Sequence, residues 1–203
     1  MKHLLLLLLL LPLHAFATMY NGTVTLNNGT IKTGLINIPK FNAGKVKFKT
    51  HPDAPVEKIS IDDVKELMVL DNDNETVKYV TLKTSKNSNK KSWLQVVKKG
   101  SINLLVFNYV VPAVNGSVGT ELTNCYGFYL QRPSDDFCTY IYMMPDRHRL
   151  TIRDFKDLKK ALTELFSNDC PDFLNALTEA AFKDKGLELV VELYDKHCGE
   201  NSK

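Results

Sequence analysis

Beyond Leu13 the chain has no apolar run of the roughly 20 residues needed to cross a hydrocarbon core. Nor does it carry charge of one sign. Its 26 basic and 23 acidic residues leave a formal net charge of +3, too small to dictate nucleic acid or anionic lipid as a partner. Tryptophan occurs once and cysteine four times, with no C-x-x-C pair, so the close ligand spacing of a zinc site is missing. There is no G-x-S-x-G elbow for a serine nucleophile. Among His51, His148 and His197 no spacing aims two rings at one ion. Together these absences argue against a serine hydrolase, a structural zinc protein and a chain that spans a membrane after its start.

What is present begins at residue 1. Met1-Lys2-His3 is a short basic opening, Leu4 to Leu13 is almost pure leucine, and Ala15-Phe16-Ala17 has the small-x-small form of a peptidase site. An apolar run of about ten residues that ends in such a site predicts a signal peptide over 1–17, cleaved after Ala17. No cysteine stands at the cut, so no lipid anchor is expected. The expected mature protein is exported, periplasmic or secreted, without a membrane span. A hydrophobic fraction of 44% with 24% charged residues describes a globular chain rather than a disordered one.

From Tyr20 to about Met144 short alternating runs are punctuated by Asn, Gly, Asp and Pro. Thr23 to Leu26 and Thr30 to Lys32 flank Asn27-Asn28-Gly29, a hairpin in which the Asn-Gly step suits a tight primed turn. Gly34 inside the second strand predicts a bulge or a close backbone approach. Lys45 to Lys49 alternates so that Val46 and Phe48 face inward and three lysines face water. A short turn at Asp62-Asp63-Val64 separates two further strands. A second β block follows, with strands near Thr76–Leu82, Trp93–Val97, Ile102–Val111, Tyr126–Leu130 and Cys138–Met144. Ile102 to Val111 is apolar on both faces and reads as a central strand; Asn115 to Thr120 reads as an exposed loop.

The period then changes to 3.6. Ile152, Phe155, Leu158, Leu162 and Leu165 share one helical face, and Thr151 with Asp154 approximates a capping box. Pro171 suits the first turn of a second helix through Ala181, and a third runs from about Asp184 past Tyr194. The fold class is therefore α+β. An antiparallel β-rich body over 18–146, a small-barrel-like part (18–70) plus a β meander (71–146), precedes a helical region over 147–203 with a bundle of three short helices.

An even cysteine count in an exported chain favours disulfides, with buried free thiols as the alternative and metal a distant third. Cys170 opens the second predicted helix and Cys198 closes the third, so antiparallel packing brings them to the same end. Cys125 with Cys138 follows by elimination, although a hairpin turning at Pro133 places Cys138 nearer Tyr129.

With these residues laid out, the chain resembles a loose group of exported proteins of unknown function from Bacteroidetes. The resemblance rests on Asn21-Gly22-Thr23 through Asn28-Gly29 to Gly34-Leu35-Ile36, on Lys98-Lys99-Gly100 before an apolar strand, and on a tail from Phe166 through Cys170-Pro171 to Val190–Tyr194 and a late cysteine. It implies no catalytic residues. Separately, Thr23 to Leu70 looks like a small SH3- or Sm-type barrel; fold does not imply function, and export with near-neutral charge counts against RNA.

Each candidate site has a plainer explanation. Asp71 to Glu75 alternates oxygen ligands, but the central Gly and closing Glu of a calcium loop are replaced by Thr76 and Leu82, so a solvated hairpin tip fits better. Asp62-Asp63 and Asp135-Asp136 fit turn chemistry, and Lys83 to Lys91 with Lys98-Lys99 fits solvated strand ends. Asn21, Asn28, Asn74 and Asn115 match the N-glycosylation pattern, which matters only in a eukaryotic exported chain. Tyr109, Tyr126, Phe128, Tyr140 and Tyr142 form a possible aromatic ligand face that would stack on sugars, with core packing as the alternative. No catalytic, cofactor or metal residue is expected. The chain reads as a non-catalytic exported binding or interaction module of the cell envelope, meeting an envelope protein or a glycan and no nucleic acid. The alternative is a glycan-binding enzyme accessory or envelope enzyme that uses the aromatic face.

Overall fold

Period-two alternation becomes ten strands in the computed structural model, which describes residues 18–114, 120–145 and 152–199. They are β1 Tyr20–Leu26, β2 Ile31–Asn37, β3 Lys45–Lys49, β4 Glu57–Ser60, β5 Val64–Leu70, β6 Thr76–Lys83, β7 Lys91–Lys98, β8 Asn103–Val114, β9 Thr120–Gln131 and β10 Thr139–Pro145. All named strands pair antiparallel in one sheet, ordered β10-β9-β8-β7-β6-β5-β1-β2-β3-β4. The seam expected near residue 70 falls between β5 and β6, which are hydrogen-bonded neighbours.

The first hairpin forms where Asn27-Asn28-Gly29 predicts it, but the turn differs. Gly29 N–H donates to the Leu26 carbonyl, Leu26 N–H donates to the Thr30 carbonyl, and only Gly29 has positive φ (86°). That is a three-residue loop ending in one left-handed residue, not a two-residue primed turn. Asn28 uses its side chain instead, with Oδ1 accepting from Thr30 N–H at 3.0 Å. The β5–β6 turn repeats the scheme with Asn74 (φ 60°) in the left-handed place. Gly34 marks a close approach, as predicted: an added Cβ would lie 2.1 Å from the Lys49 carbonyl oxygen. Its register partner Gly22 is as tight, with the Met68 carbonyl 2.2 Å from the same added atom.

Three cores lie in series. Strands β1–β5 curl around Val24, Ile36, Val46, Phe48 and Leu67, and Trp93 of β7 joins them. The opposite face of β6–β7 presents Leu82 and Leu94 to a middle core with Leu105 and Cys138. Near Cys138 the chain returns to β6: Cys138 N–H donates to the Lys83 carbonyl at 2.8 Å, in a parallel bridge between Lys83 and Phe137. The far face of β8–β10 carries Leu104, Phe128 and Tyr142 into a third core beneath the helices.

The class is α+β, but the tail holds four described helices rather than three: α1 Ile152–Phe166, α2 Pro171–Ala176, α3 Glu179–Lys185 and α4 Glu188–Cys198. The single helix expected from Pro171 to Ala181 breaks at Leu177-Thr178, both extended, because the Thr178 hydroxyl caps a new helix by accepting from Ala181 N–H. Gly186, at φ 65°, ends α3 within the segment predicted to start the third helix. Thr151 of the expected capping box lies outside the described residues. None of the described helices is long and apolar enough to cross a membrane.

Lys98 bonds Glu192 at 2.6 Å and Ser101 N–H donates to Asp195 at 2.6 Å, pinning α4 to the β7–β8 turn. The predicted Cys170–Cys198 disulfide is present, with Cα atoms 6.0 Å apart. The second expected bridge is not: Cys125 and Cys138 are free and buried. Cys125 pairs with Pro145 while Thr139 pairs with Leu130. The two thiols thus sit near opposite ends of the β9–β10 ladder, roughly 17 Å apart at about 3.3 Å per residue, beyond the reach of about 7 Å.

Replacing Cys170 and Cys198 by Ser should lower stability by about 3.5 kcal/mol, the loop-closure entropy of a 28-residue separation, measured by urea denaturation. Non-reducing peptide mapping should recover this bridge alone, with Cys125 and Cys138 alkylated only after unfolding. Recovery of a Cys125–Cys138 peptide would contradict the sheet register.

Candidate functional site

Side chains on a strand alternate faces, so the five residues of the expected aromatic face are divided by the register. Tyr126, Phe128 and Tyr142 point toward the helices and pack in or against the third core. Tyr109 and Tyr140 point the other way. Tyr140 and Tyr142 differ by two, yet they part company because the β9–β10 register shifts between them, pairing Tyr140 with Tyr129 but Tyr142 with Phe128. Such a bulge re-aims a side chain.

Tyr109 and Tyr140 join three aromatics outside the sequence-derived set. Phe107 and Tyr129 share their face of β8 and β9, and Phe41 comes from the β2–β3 connection. Together with Asn42 and Gly127 these five aromatics line a solvent-open hollow of about 430 Å³. Phe41 stacks on Phe107 with centroids 3.9 Å apart, and Phe107 and Tyr109 lie within 8° of parallel at 5.6 Å. Tyr140 meets Tyr129 edge-on at 74°. Gly127 lies directly opposite Phe107 in the register. An added Cβ there would meet the rings of Tyr109 and Tyr129 in ordinary contact, each at 3.5 Å, so both rings lie directly beside the glycine.

The hollow opens where β8 leaves β7. Paired residues reach Gln95 and Val106 and go no further in that direction. Beyond them the β2–β3 connection takes the place of β8: Trp93 N–H donates to the Phe41 carbonyl at 2.9 Å, and the Trp93 indole N–H donates to the Ala43 carbonyl at 2.7 Å. Trp93 itself is only 2% exposed. Two hydrogen bonds from one residue thus hold Phe41 as a wall of the site.

No acidic, basic or histidine side chain lines the hollow. Burial raises the Tyr109, Tyr129 and Tyr140 hydroxyls above their ordinary pKa, that of Tyr129 to about 12. The neighbouring Cys125 adds to the effect at Tyr109, Cys138 at Tyr129, and Tyr109 at Tyr140. All three remain neutral donors at physiological pH. Tyr109 donates to the Met143 sulfur, a weak acceptor. Neither Tyr129 nor Tyr140 makes a side-chain hydrogen bond among the described residues, and Tyr140 is 49% exposed.

The other sequence candidates resolve into structure. Asp71 Oδ1 accepts from the N–H groups of Asp73 and Glu75, both at 2.9 Å, capping its turn. Asp62 and Asp63 lie in the β4–β5 turn, where their carbonyls accept from Asn27. Asp136 pairs with Lys83 at 2.6 Å, and that partner holds its carboxyl below the usual range. Lys98, expected at a solvated strand end, is paired to α4; Lys99 lies beside Lys78, and the hydrogen bond to that side chain, with its like charge, lowers the Lys99 pKa. His197 occupies the last turn of α4; His148, Arg147 and Arg149 lie outside the described residues. Among those described, no three His, Cys, Asp or Glu side chains gather as metal ligands would. Burial pushes the Cys138 thiol up to about 12, which leaves it unreactive at neutral pH.

Comparison of the chain with protein-family models, curated proteins and solved structures finds no match.

The hollow predicts an alkaline signature. Tyr129 has a folded pKa above its unfolded value of 10, so its contribution to stability is intact below pH 10 and is lost as pH rises toward 12. Absorbance titration at 295 nm should show a tyrosine that ionises near 12 in the folded protein and that Tyr129→Phe removes; ionisation of every tyrosine near 10 would contradict the burial.

Proposed function

We propose that the chain is an exported, non-catalytic binding module of the cell envelope whose ligand face is the hollow of Phe41, Phe107, Tyr109, Tyr129 and Tyr140. The observation that carries this reading is the combination on one open face of stacked rings, a half-exposed Tyr140, and Tyr129 and Tyr140 hydroxyls that have no acceptor among the described residues. Pockets that bind small molecules are mostly apolar with a few placed polar groups, and this composition matches. A nucleophile and its base are not brought together by the described residues, so binding rather than turnover is the activity assigned.

Export rests on the leader-like Met1–Ala17 and on the likeness to exported proteins of Bacteroidetes; the Cys170–Cys198 bridge suits an oxidising compartment. The strand order β5-β1-β2-β3-β4 around one core supports the likeness of residues 18–70 to a small SH3- or Sm-type barrel. That part serves as a scaffold here, because Phe41 of its β2–β3 connection reaches the site.

Two measurements test the reading. N-terminal sequencing of the protein recovered outside the cytoplasm should begin at Thr18. Titration of the isotope-labelled mature protein with solubilised envelope material should perturb resonances of Tyr109, Tyr129 and Tyr140, and Tyr140→Arg should abolish the perturbation without changing the melting temperature. Perturbations confined to α1–α4 or to the lysine-rich 83–91 loop would refute this choice of site.

A further inference from the structure

The chemistry of the hollow narrows its ligand, if the binding reading above is accepted. No ionised group faces it, since its three tyrosines are neutral at physiological pH. A charged ligand would shed water there without meeting a counter-charge, which is unfavourable. A purely hydrocarbon ligand fits no better. It would cover the Tyr129 and Tyr140 hydroxyls, which have no acceptor among the described residues, and leave both polar groups unsatisfied. The hollow is also open rather than enclosed, so an acyl chain would stay half in water.

What fits is a neutral molecule with a flat C–H face and a rim of hydroxyls. The negative face of an aromatic ring attracts polarised C–H groups. Phe41, Phe107 and Tyr109 present nearly parallel rings, with interplanar angles of 27° and 8°, while Tyr140 stands across Tyr129 as a second, angled surface. Around the rings stand the tyrosine hydroxyls and the Asn42 amide, which donate and accept in the manner a sugar's hydroxyl rim requires. We infer that the hollow binds a neutral glycan, with a pyranose ring stacked on its tyrosines and the sugar hydroxyls hydrogen-bonded to Tyr129, Tyr140 and Asn42. Gly127 floors the hollow: a Cβ there would rest in ordinary contact with the Tyr109 and Tyr129 rings, at 3.5 Å, and a branched side chain would reach past it into the ligand space.

The test is a printed array of neutral glycans, anionic glycans and aromatic-rich peptides, probed with the full mature chain and followed by calorimetry on the hits. Neutral glycans should bind, with affinity unchanged between 50 and 500 mM salt. Tyr140→Ala should weaken binding at least tenfold and Tyr129→Phe about fivefold, while Gly127→Val abolishes it; unchanged far-ultraviolet circular dichroism and a cooperative thermal transition in all three variants exclude unfolding as the cause. If only peptides or anionic glycans bind and Tyr140→Ala still removes the signal, the hollow is the ligand site but the glycan assignment is wrong. If the array is silent, or if hits are indifferent to Tyr140→Ala, the glycan assignment fails; indifferent hits overturn the choice of site as well.

Discussion

Trp93 holds the molecule's two halves in register. Its indole sits in the core enclosed by β1–β5, while its backbone and ring N–H groups both donate to the segment between β2 and β3. A buried indole N–H needs an acceptor, and here the acceptor is a carbonyl of that connection, which Ile61 N–H also holds by donating to the Gly44 carbonyl at 2.9 Å. Three consequences follow from that pair of bonds. The connection is pinned across the start of β7, Phe41 is delivered into the middle core, and β8 is left to diverge. The hollow occupies the resulting gap, so the same residue that joins two cores also shapes the site.

The three cores in series give each part of the sheet two duties. Strands β6 and β7 face the first core with Tyr79 and Trp93 and the middle core with Leu82 and Leu94. Strands β8–β10 face the middle core and the helices. This two-sided burial explains why Ile102 to Phe107 has apolar residues on both faces, a pattern more usual in parallel sheets; further along the strand Val110 is 55% exposed. The helices in turn are fastened by polar contacts at one end, Lys98 to Glu192 and Ser101 to Asp195, and by the Cys170–Cys198 bridge. The sheet's edges are unlike each other. Edge strand β4 carries Glu57 and Lys58, the charge that discourages strand addition, whereas edge strand β10 carries no charge at all.

Much of the architecture was legible in local patterns. Lys45–Lys49 alternated as read, the Asn-Gly hairpin fell in place, and Cys170 met Cys198 because cap and helix end lay on the same side of a helix pair. The misreadings share a cause: a local feature that changes register or direction without a sequence signature of its own. One shifted residue between Tyr140 and Tyr142 sends them to opposite faces, although strict alternation would place them together. Parity did offer a usable signal, because Tyr126 and Phe128 differ by an odd number from Tyr129, which separates them. Phe41 sits in a connection without periodicity and was invisible to any pattern. In the tail, Thr178 broke a helix that apolar spacing alone would continue.

The placement of the four cysteines also bears on how the chain matures. In an unfolded chain Cys125 and Cys138, 13 residues apart, meet more easily than Cys170 and Cys198, which are 28 apart; loop entropy favours the shorter closure by roughly 0.7 kcal/mol. The pairing that is statistically easiest is therefore the one the sheet forbids. Once the β9–β10 ladder has formed it holds the first two thiols apart, so strand pairing in the sheet also leaves Cys170 and Cys198 as the pair free to close.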